Sequence, residues 1–220
     1  MTIEQNLQKI QKRIKTACEN AGRSPAEVTL VAVSKTVSAD AIGAAFNAGL
    51  RHFGESRVQE AASKIEQLQR FKPDIVWHMV GHLQTNKART AASIFDIIHS
   101  VDSLKLAETL NDSSRKKLRV LIQVNVADEA TKSGFALTDI NEAVKQIGRL
   151  PNLAIEGLMT IAPLVSDTEE VRPVFRQLRQ LRDALGLQHL SMGMTDDFDV
   201  AIEEGATLVR IGRAIFGERS

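Results

Sequence analysis

Apolar positions along the chain follow two alternating patterns. Short runs rich in β-branched residues occupy residues 28–35, 52–55, 75–80, 95–101, 119–126, 153–159, 189–192 and 208–211. Between them lie amphipathic stretches with helical spacing, at 39–48, 58–71, 104–114, 139–150 and 169–185. Alternating β and α elements in one chain predict a parallel sheet. About eight such repeats in this length predict a closed (β/α)8 TIM barrel. A doubly wound open sheet is the alternative, since periodicity does not distinguish closure from an open edge. Ile3, Leu7, Ile10, Ile14 and Cys18 also recur at helical spacing, which makes Cys18 a small core residue. No low-complexity segment, linker or compositional break interrupts the pattern, so residues 1–220 are read as a single domain.

A barrel places its working residues at the C-terminal ends of strands, where the βα loops gather. Lys35, Glu55, Asn125, Met159, Ser191 and Arg210 each fall at or near such an end. In the fifth run Gln123 and Asn125 share a face with Leu121, so polarity increases toward the top. In the first run alternation puts Val31, Val33 and Lys35 on one face. A lysine ending an apolar inward row is expected to be desolvated, and a desolvated amine is held in the neutral form that condenses with an aldehyde. The alternative is a lysine that simply marks the strand end at the rim.

The C-terminal third carries a second signal. Ser191-Met-Gly193-Met-Thr195-Asp196-Asp197 follows the seventh run, with Thr195 placed to cap the next helix. Arg210-Ile-Gly212-Arg213 leads out of the eighth. Loops after strands seven and eight are the usual phosphate site of this fold, with helix-start amides as donors. Gly212 would let the backbone approach the phosphate closely. Ordinary βα turns that need glycine are the alternative. Schiff-base lysines also occur in sugar aldolases, so these features alone leave the ligand open. The glycines at 212 and 217 have P-loop spacing, but Glu218 stands where the lysine belongs. His78 and His82 lack further metal ligands nearby in the chain.

Bulk composition narrows the partners. Hydrophobic residues are 43% and charged residues 25%, and the formal net charge is +1, which leaves no electrostatic footprint for nucleic acid. Arg115-Lys116-Lys117 reads as a solvated helix end. No run approaches the ~18 apolar residues of a membrane span. The N-terminus lacks the basic and apolar regions of a signal peptide, and a single cysteine allows no internal disulfide. A cytoplasmic protein is expected.

The segments Val31-Ala-Val-Ser-Lys35, Phe53-Gly-Glu55, Val58-Gln-Glu60, Trp77-His78, Gly81-His-Leu-Gln84, Asn86-Lys87, Lys132-Ser-Gly134, Gly157-Leu-Met159, Leu190-Ser-Met-Gly-Met194 and Val209-Arg-Ile-Gly212 resemble, in order, the pyridoxal 5′-phosphate (PLP) homeostasis protein family. The resemblance runs from about residue 5 to the C-terminus. It implies the alanine racemase N-terminal-domain barrel (PLP fold type III), with Lys35 as the PLP lysine and Arg210 facing the pyridine nitrogen. It implies a phosphate cradle of Ser191, Thr195, Gly212 and Arg213, the last two through backbone amides. Met159 and Asn125 are expected as further cofactor contacts. Lys132, in the loop after the fifth run and so on the same top face as Lys35, is expected as a secondary PLP contact, with an exposed loop lysine the alternative. Two positions depart from the family pattern: Ser56 stands for a common asparagine and Arg213 for a common threonine.

Three functions compete. Two-base racemisation needs an acid/base opposite the lysine, which alanine racemases supply as a tyrosine from another domain, and this chain has no tyrosine. An aldolase needs a positioned general acid/base, for which nothing marks Glu55 or His78. The resemblance implies the third, a non-catalytic PLP carrier of vitamin B6 homeostasis. Such a carrier acts as a monomer, with PLP-dependent apoenzymes as recipients and no metal, nucleic acid or membrane.

Overall fold

The computed structural model describes residues 2–71, 73–129 and 131–217 of the 220-residue chain. Ala130, in the loop before Lys132, and Glu218, used above against a P-loop, lie outside the described residues. Eight strands form, in chain order, β1 (Thr29–Val33), β2 (His52–Glu55), β3 (Val76–Met79), β4 (Ile97–Val101), β5 (Leu118–Gln123), β6 (Leu153–Met159), β7 (His189–Ser191) and β8 (Leu208–Ile211). Each pairs in parallel with the next, and β8 pairs with β1 through Thr29↔Leu208 to Ala32↔Ile211, closing the barrel. Closure excludes the open-sheet alternative.

Around the barrel run α1 (Ile3–Asn20), α2 (Ala39–Asn47), α3 (Val58–Gln67), α4 (Ala88–Ile94), α5 (Leu104–Ser113), α6 (Ile140–Ile147), α7 (Arg172–Ala184), α8 (Phe198–Glu203) and α9 (Arg213–Phe216). Among the described residues no helix is long and apolar enough to cross a membrane. Helix α1 starts on a capping box: Gln5 N–H donates to Thr2 Oγ1, and Thr2 N–H donates to Gln5 Oε1. It buries Leu7, Ile10, Ile14, Ala17 and Cys18, the stripe expected from spacing. Helix α4 went unseen in the apolar pattern because it docks through Ala88, Ala91 and Ala92, which are small and weakly hydrophobic.

Strand parity sorts the side chains into two cores. Outward residues such as Ala32, Phe53, Trp77, Ile98, Val120 and Val209 pack beneath the helices. Inward residues Val31, Leu121, Met159 and Leu208, with Val80, form a separate apolar cluster inside the barrel. Much of the remaining interior is polar, and its buried members His78, His99, Ser191 and Arg210 must satisfy their hydrogen bonds there. His52 Nδ1 lies 3.0 Å from His78 Nε2, His78 Nδ1 lies 2.8 Å from His99 Nε2, and His99 Nδ1 lies 2.8 Å from Ser191 Oγ.

Burial holds both His78 and His99 well below the usual imidazole range, with neighbouring histidines and Arg119 adding to the effect. Unfolding releases them to their ordinary value near 6.5, so below about that pH the unfolded chain binds more protons and stability falls. Stability linked to these two groups is therefore fully present above pH ~6.5 and is lost as pH drops through it. Two such histidines lose about 4 kcal/mol between pH 7 and pH 5. Glu55 and Asp197, which burial shifts upward, oppose this loss, while His52 and His189, which burial shifts downward, add to it. Urea unfolding at the two pH values checks it; equal stability at both would contradict neutral buried histidines.

Candidate functional site at the top of the barrel

Lys35 stands two residues beyond β1 in a turn, and its side chain is exposed. The expected desolvation is therefore corrected: the inward row stops being enclosed at half-buried Val33, because β1 ends there and the chain leaves the sheet. What holds Lys35 in place is its backbone. Thr36, next in the chain, takes the left-handed conformation at φ 65°, unusual for a non-glycine residue. Its N–H donates to Glu60 Oε1 at 2.6 Å. On the other side, the carbonyl of Ser34 accepts from Lys64 Nζ at 2.6 Å.

Lys64 is the centre of this clamp. Buried on α3, it also donates to Glu55 Oε1 at 2.8 Å and to Glu60 Oε1 at 2.5 Å, while Ser34 Oγ donates to Glu55 Oε1 at 2.7 Å. Burial pushes the Glu55 carboxyl up, against the hydrogen bonds from Lys64 and Ser34, and its Oε2 is enclosed without a partner among the described residues. Burial also pushes Glu60 up, but Lys64 and the Thr36 amide outweigh it and hold that carboxyl below the usual range. One ammonium thus serves two carboxylates directly behind the turn that carries Lys35.

The β8 exit lies beside this turn. A Cβ on Gly212 would sit 2.9 Å from the Val33 carbonyl oxygen, so glycine is needed for the two strand ends to pack together. The missing side chain clears β1, and a substituent there would strike the strand that leads into Lys35. Arg213 begins α9 and turns its side chain to Asp196, at 2.9 Å to both carboxylate oxygens, joining the loops after β7 and β8. Gly193, at φ 87°, packs its α-carbon against α8 and accepts the Arg210 N–H through its carbonyl at 3.0 Å. Thr195 does not cap α8. That position belongs to Asp197, whose Oδ1 instead accepts from Met194 N–H at 2.6 Å. The Thr195 hydroxyl has no partner among the described residues.

Arg210 points inward from β8 and is enclosed. Its Nη1 donates to Ser191 Oγ at 2.6 Å and its Nη2 to the Thr160 carbonyl at 2.8 Å. Burial pulls its pKa down to about 10, with Asp197 opposing, so it remains a cation at neutral pH. Ser191 therefore sits inside the barrel beneath Arg210, its hydroxyl committed to Arg210 and His99, and not in the loop with Thr195 and Gly212 where it was expected. Inward parity at the last residue of β7 is the reason.

The remaining predicted residues are carried by β5, β6 and the loop after β5. Asn125 and Lys132 line a cavity of about 230 Å³ together with Val80, Gly81, His82 and Gln123. Both polar ends of the Asn125 side chain are used by the backbone of Glu129, at 2.9 and 3.2 Å, so it pins its own loop. Lys132 Nζ donates to Glu129 Oε1 at 2.5 Å and to the Ile161 carbonyl at 3.3 Å. Met159 is buried in the inner apolar cluster. His78 and His82 diverge, the first into the interior and the second to Asp102 at 3.0 Å. Lys35, Thr195, Gly212 and Arg213 are thus carried by the exits of β1, β7 and β8, whereas Asn125 and Lys132 line the cavity at the exits of β3, β5 and β6.

A family model described as the alanine racemase N-terminal domain matches residues 5–220. The pyridoxal phosphate homeostasis protein of Vibrio alginolyticus is 45% identical over 228 residues, covering 99% of this chain and 98% of that one. That of Escherichia coli K12 is 43% identical over 230 residues, covering 99% and 97%. The chain belongs to the pyridoxal phosphate homeostasis protein family. PipY of Synechococcus elongatus PCC7942, solved with PLP bound, superposes with a TM-score of 0.86 at 38% identity, covering 98% of this chain and all of that one. An alanine racemase from Corynebacterium glutamicum shares the fold alone, at TM-score 0.68 and 17% identity, over 96% of this chain and 61% of that one.

Within this homeostasis-family barrel, sequence reasoning passed over Lys64, His99 and the Thr160 carbonyl. Glu60 and Lys64 stand four apart on a helix and read as an ordinary surface pair. Only the docking of α3 against the β2 exit shows that the pair is enclosed with a second carboxylate. Lys64→Met removes the cation from two carboxylates, one of them fully buried. It should cost about 3–5 kcal/mol and speed exchange of the Thr36 amide. Urea unfolding and amide exchange by NMR test this together; a loss below about 1 kcal/mol would mark the cluster as an ordinary surface pair.

Proposed function

We propose that this protein is a cytoplasmic, monomeric carrier of PLP. It holds the cofactor on Lys35 as a Schiff base, serves intracellular vitamin B6 homeostasis and turns over no substrate of its own. The observation that carries the reading is the pairing of an exposed lysine, clamped through its backbone, with a buried cation at the neighbouring strand exit. Bound PLP supplies an aldehyde, a pyridine nitrogen and a phosphate, and the residues present suit all three. Lys35 offers the amine, and Arg210 offers its guanidinium to the ring nitrogen. The unpartnered Thr195 hydroxyl and the backbone amides at Gly212 and Arg213 are the phosphate donors. Met159 lines the interior below, and Asn125 acts through the loop it pins.

The carrier role is supported by the chemistry of Arg210. A guanidinium that stays charged does not give up its proton to the ring nitrogen, and an unprotonated ring is a weak electron sink. The sequence also contains no tyrosine to serve as a second base. Relatives named for PLP homeostasis, and one solved with PLP, point the same way. Recipients of the cofactor are PLP-dependent apoenzymes.

Borohydride reduction of the PLP-loaded protein followed by peptide mapping should place the phosphopyridoxyl group on Lys35, and Lys35→Ala should abolish it. A label reproducibly on another lysine sinks the assignment. Turnover of any amino acid in an L and D panel at roughly 1 s⁻¹ or faster, lost in Lys35→Ala, overturns the carrier role.

Lys132 is a secondary PLP contact that captures the cofactor on its way in or out. Its amine must first leave Glu129, so it binds less firmly than Lys35. Lys132→Ala should keep the label on Lys35 while changing the rates of loading and release. Unchanged rates in stopped-flow absorbance would leave Lys132 as a loop lysine and nothing more.

A further inference from the structure

Arg210 is a cation shut inside the barrel, and among the described residues no carboxylate pairs with its guanidinium. It touches the head of a hydrogen-bond chain instead. A guanidinium has donors only, so Ser191 Oγ must accept from Nη1. The hydrogen of that hydroxyl then has His99 Nδ1, at 2.8 Å, as its acceptor among the described residues. A neutral imidazole that accepts at Nδ1 carries its proton on Nε2. His99 therefore donates to His78 Nδ1 at 2.8 Å, and by the same rule His78 donates from Nε2 to His52 Nδ1 at 3.0 Å. His52, the first residue of β2, is half-buried at the bottom of the barrel and ends the chain there.

We infer that His99 is a positioning residue for Arg210, acting through Ser191 at the head of a one-way chain, Ser191 to His99 to His78 to His52, whose donors all point away from the guanidinium. Each aligned hydrogen bond polarises the next, so the chain turns the negative end of the Ser191 hydroxyl toward the cation more strongly than an isolated serine would. Enclosure keeps His78 and His99 neutral, and the charged groups near the chain oppose protonation further: Arg210 at its head and Arg119 near its foot, with Asp96 the one acid acting on His52. The inference deepens the proposed function, and it rests on that reading only where the PLP ring is concerned. A carboxylate in place of the chain would pair with Arg210 directly. A neutral chain instead fixes the guanidinium and leaves it cationic toward the ring nitrogen, with Asp197 the acid that acts on it without a hydrogen bond.

The test uses ligand-free, ¹⁵N-labelled protein, so a failure of PLP to bind Lys35 leaves it untouched. At pH 7 the histidine ¹⁵N signals should show His99 and His78 neutral and protonated on Nε2. An imidazolium, or an Nδ1–H tautomer at His99, overturns the inference. Solvent exchange of the Arg210 guanidinium protons should be slow in the wild type and about tenfold faster in His99→Leu, which removes the acceptor that orients Ser191. His99→Asn, which keeps an acceptor oxygen near the Nδ1 position, should restore slow exchange. A packing role alone would give no rescue by asparagine, and unchanged exchange in a folded His99→Leu overturns the inference. Should His99→Leu not fold, the wild-type tautomers decide.

Discussion

Closing eight parallel strands on themselves creates a narrow interior into which every second side chain must point. With no sheet edge left and the inward side chains buried, each inward polar group has to find its partner among its neighbours inside the barrel. Most of the site follows from that constraint. Val31, Leu121, Met159 and Leu208 fill one part of the interior with apolar contact. Polar residues fill the rest as a connected set, from His52 at the bottom through His78 and His99 to Ser191 and Arg210. Arg210 is tolerated as an enclosed cation because Ser191 and the Thr160 carbonyl accept from it.

Where the strands end, control passes from parity to the loops. Lys35 is not immobilised by burial; the amine is exposed while the backbone on either side of it is tied to α3. This division suits a group that must react reversibly. A rigid main chain fixes where the amine is, and an open side chain lets a ligand reach and leave it. Gly212 and Gly193 do comparable work at the β8 and β7 exits. Each permits a backbone approach that a Cβ would block, and together they bring the last two loops against the first strand and α8.

The two ends of the arrangement differ in how they handle charge. Behind Lys35 a single buried ammonium pairs with two carboxylates. Beneath the mouth of the barrel Arg210 has no hydrogen-bonded carboxylate among the described residues and keeps its charge. A barrel that clamps an amine with a buried network and offers a cation beside it is suited to holding an aldehyde-bearing anion. On the proposed function, the same cation would withhold the proton that activates the ring for wider chemistry.

All eight strands, the helical stripe containing Cys18 and the order of elements were legible in the chain, because period 2 and period 3.6 patterning are local properties. So was the inward parity of Val31, whereas Lys35 lies beyond the strand. The ends of elements were less legible. Whether β1 continues to Lys35 or stops at Val33 depends on where α2 and α3 pull the chain away, which no window of residues records. Helix α4 was invisible because alanines carry little hydrophobic signal. The family-level fold could be read from scattered motifs, but the partners of the site residues could not. Glu60 and Lys64 are neighbours in sequence, yet Glu55 and the Ser34 carbonyl join them only when α3 docks. His99 and Ser191 stand 92 positions apart and meet only because β4 and β7 face one another across the interior. Sequence alone determined which side of each strand a residue occupies. Tertiary structure decided what lies opposite, because the contacts that close a barrel run between strands far apart in the chain.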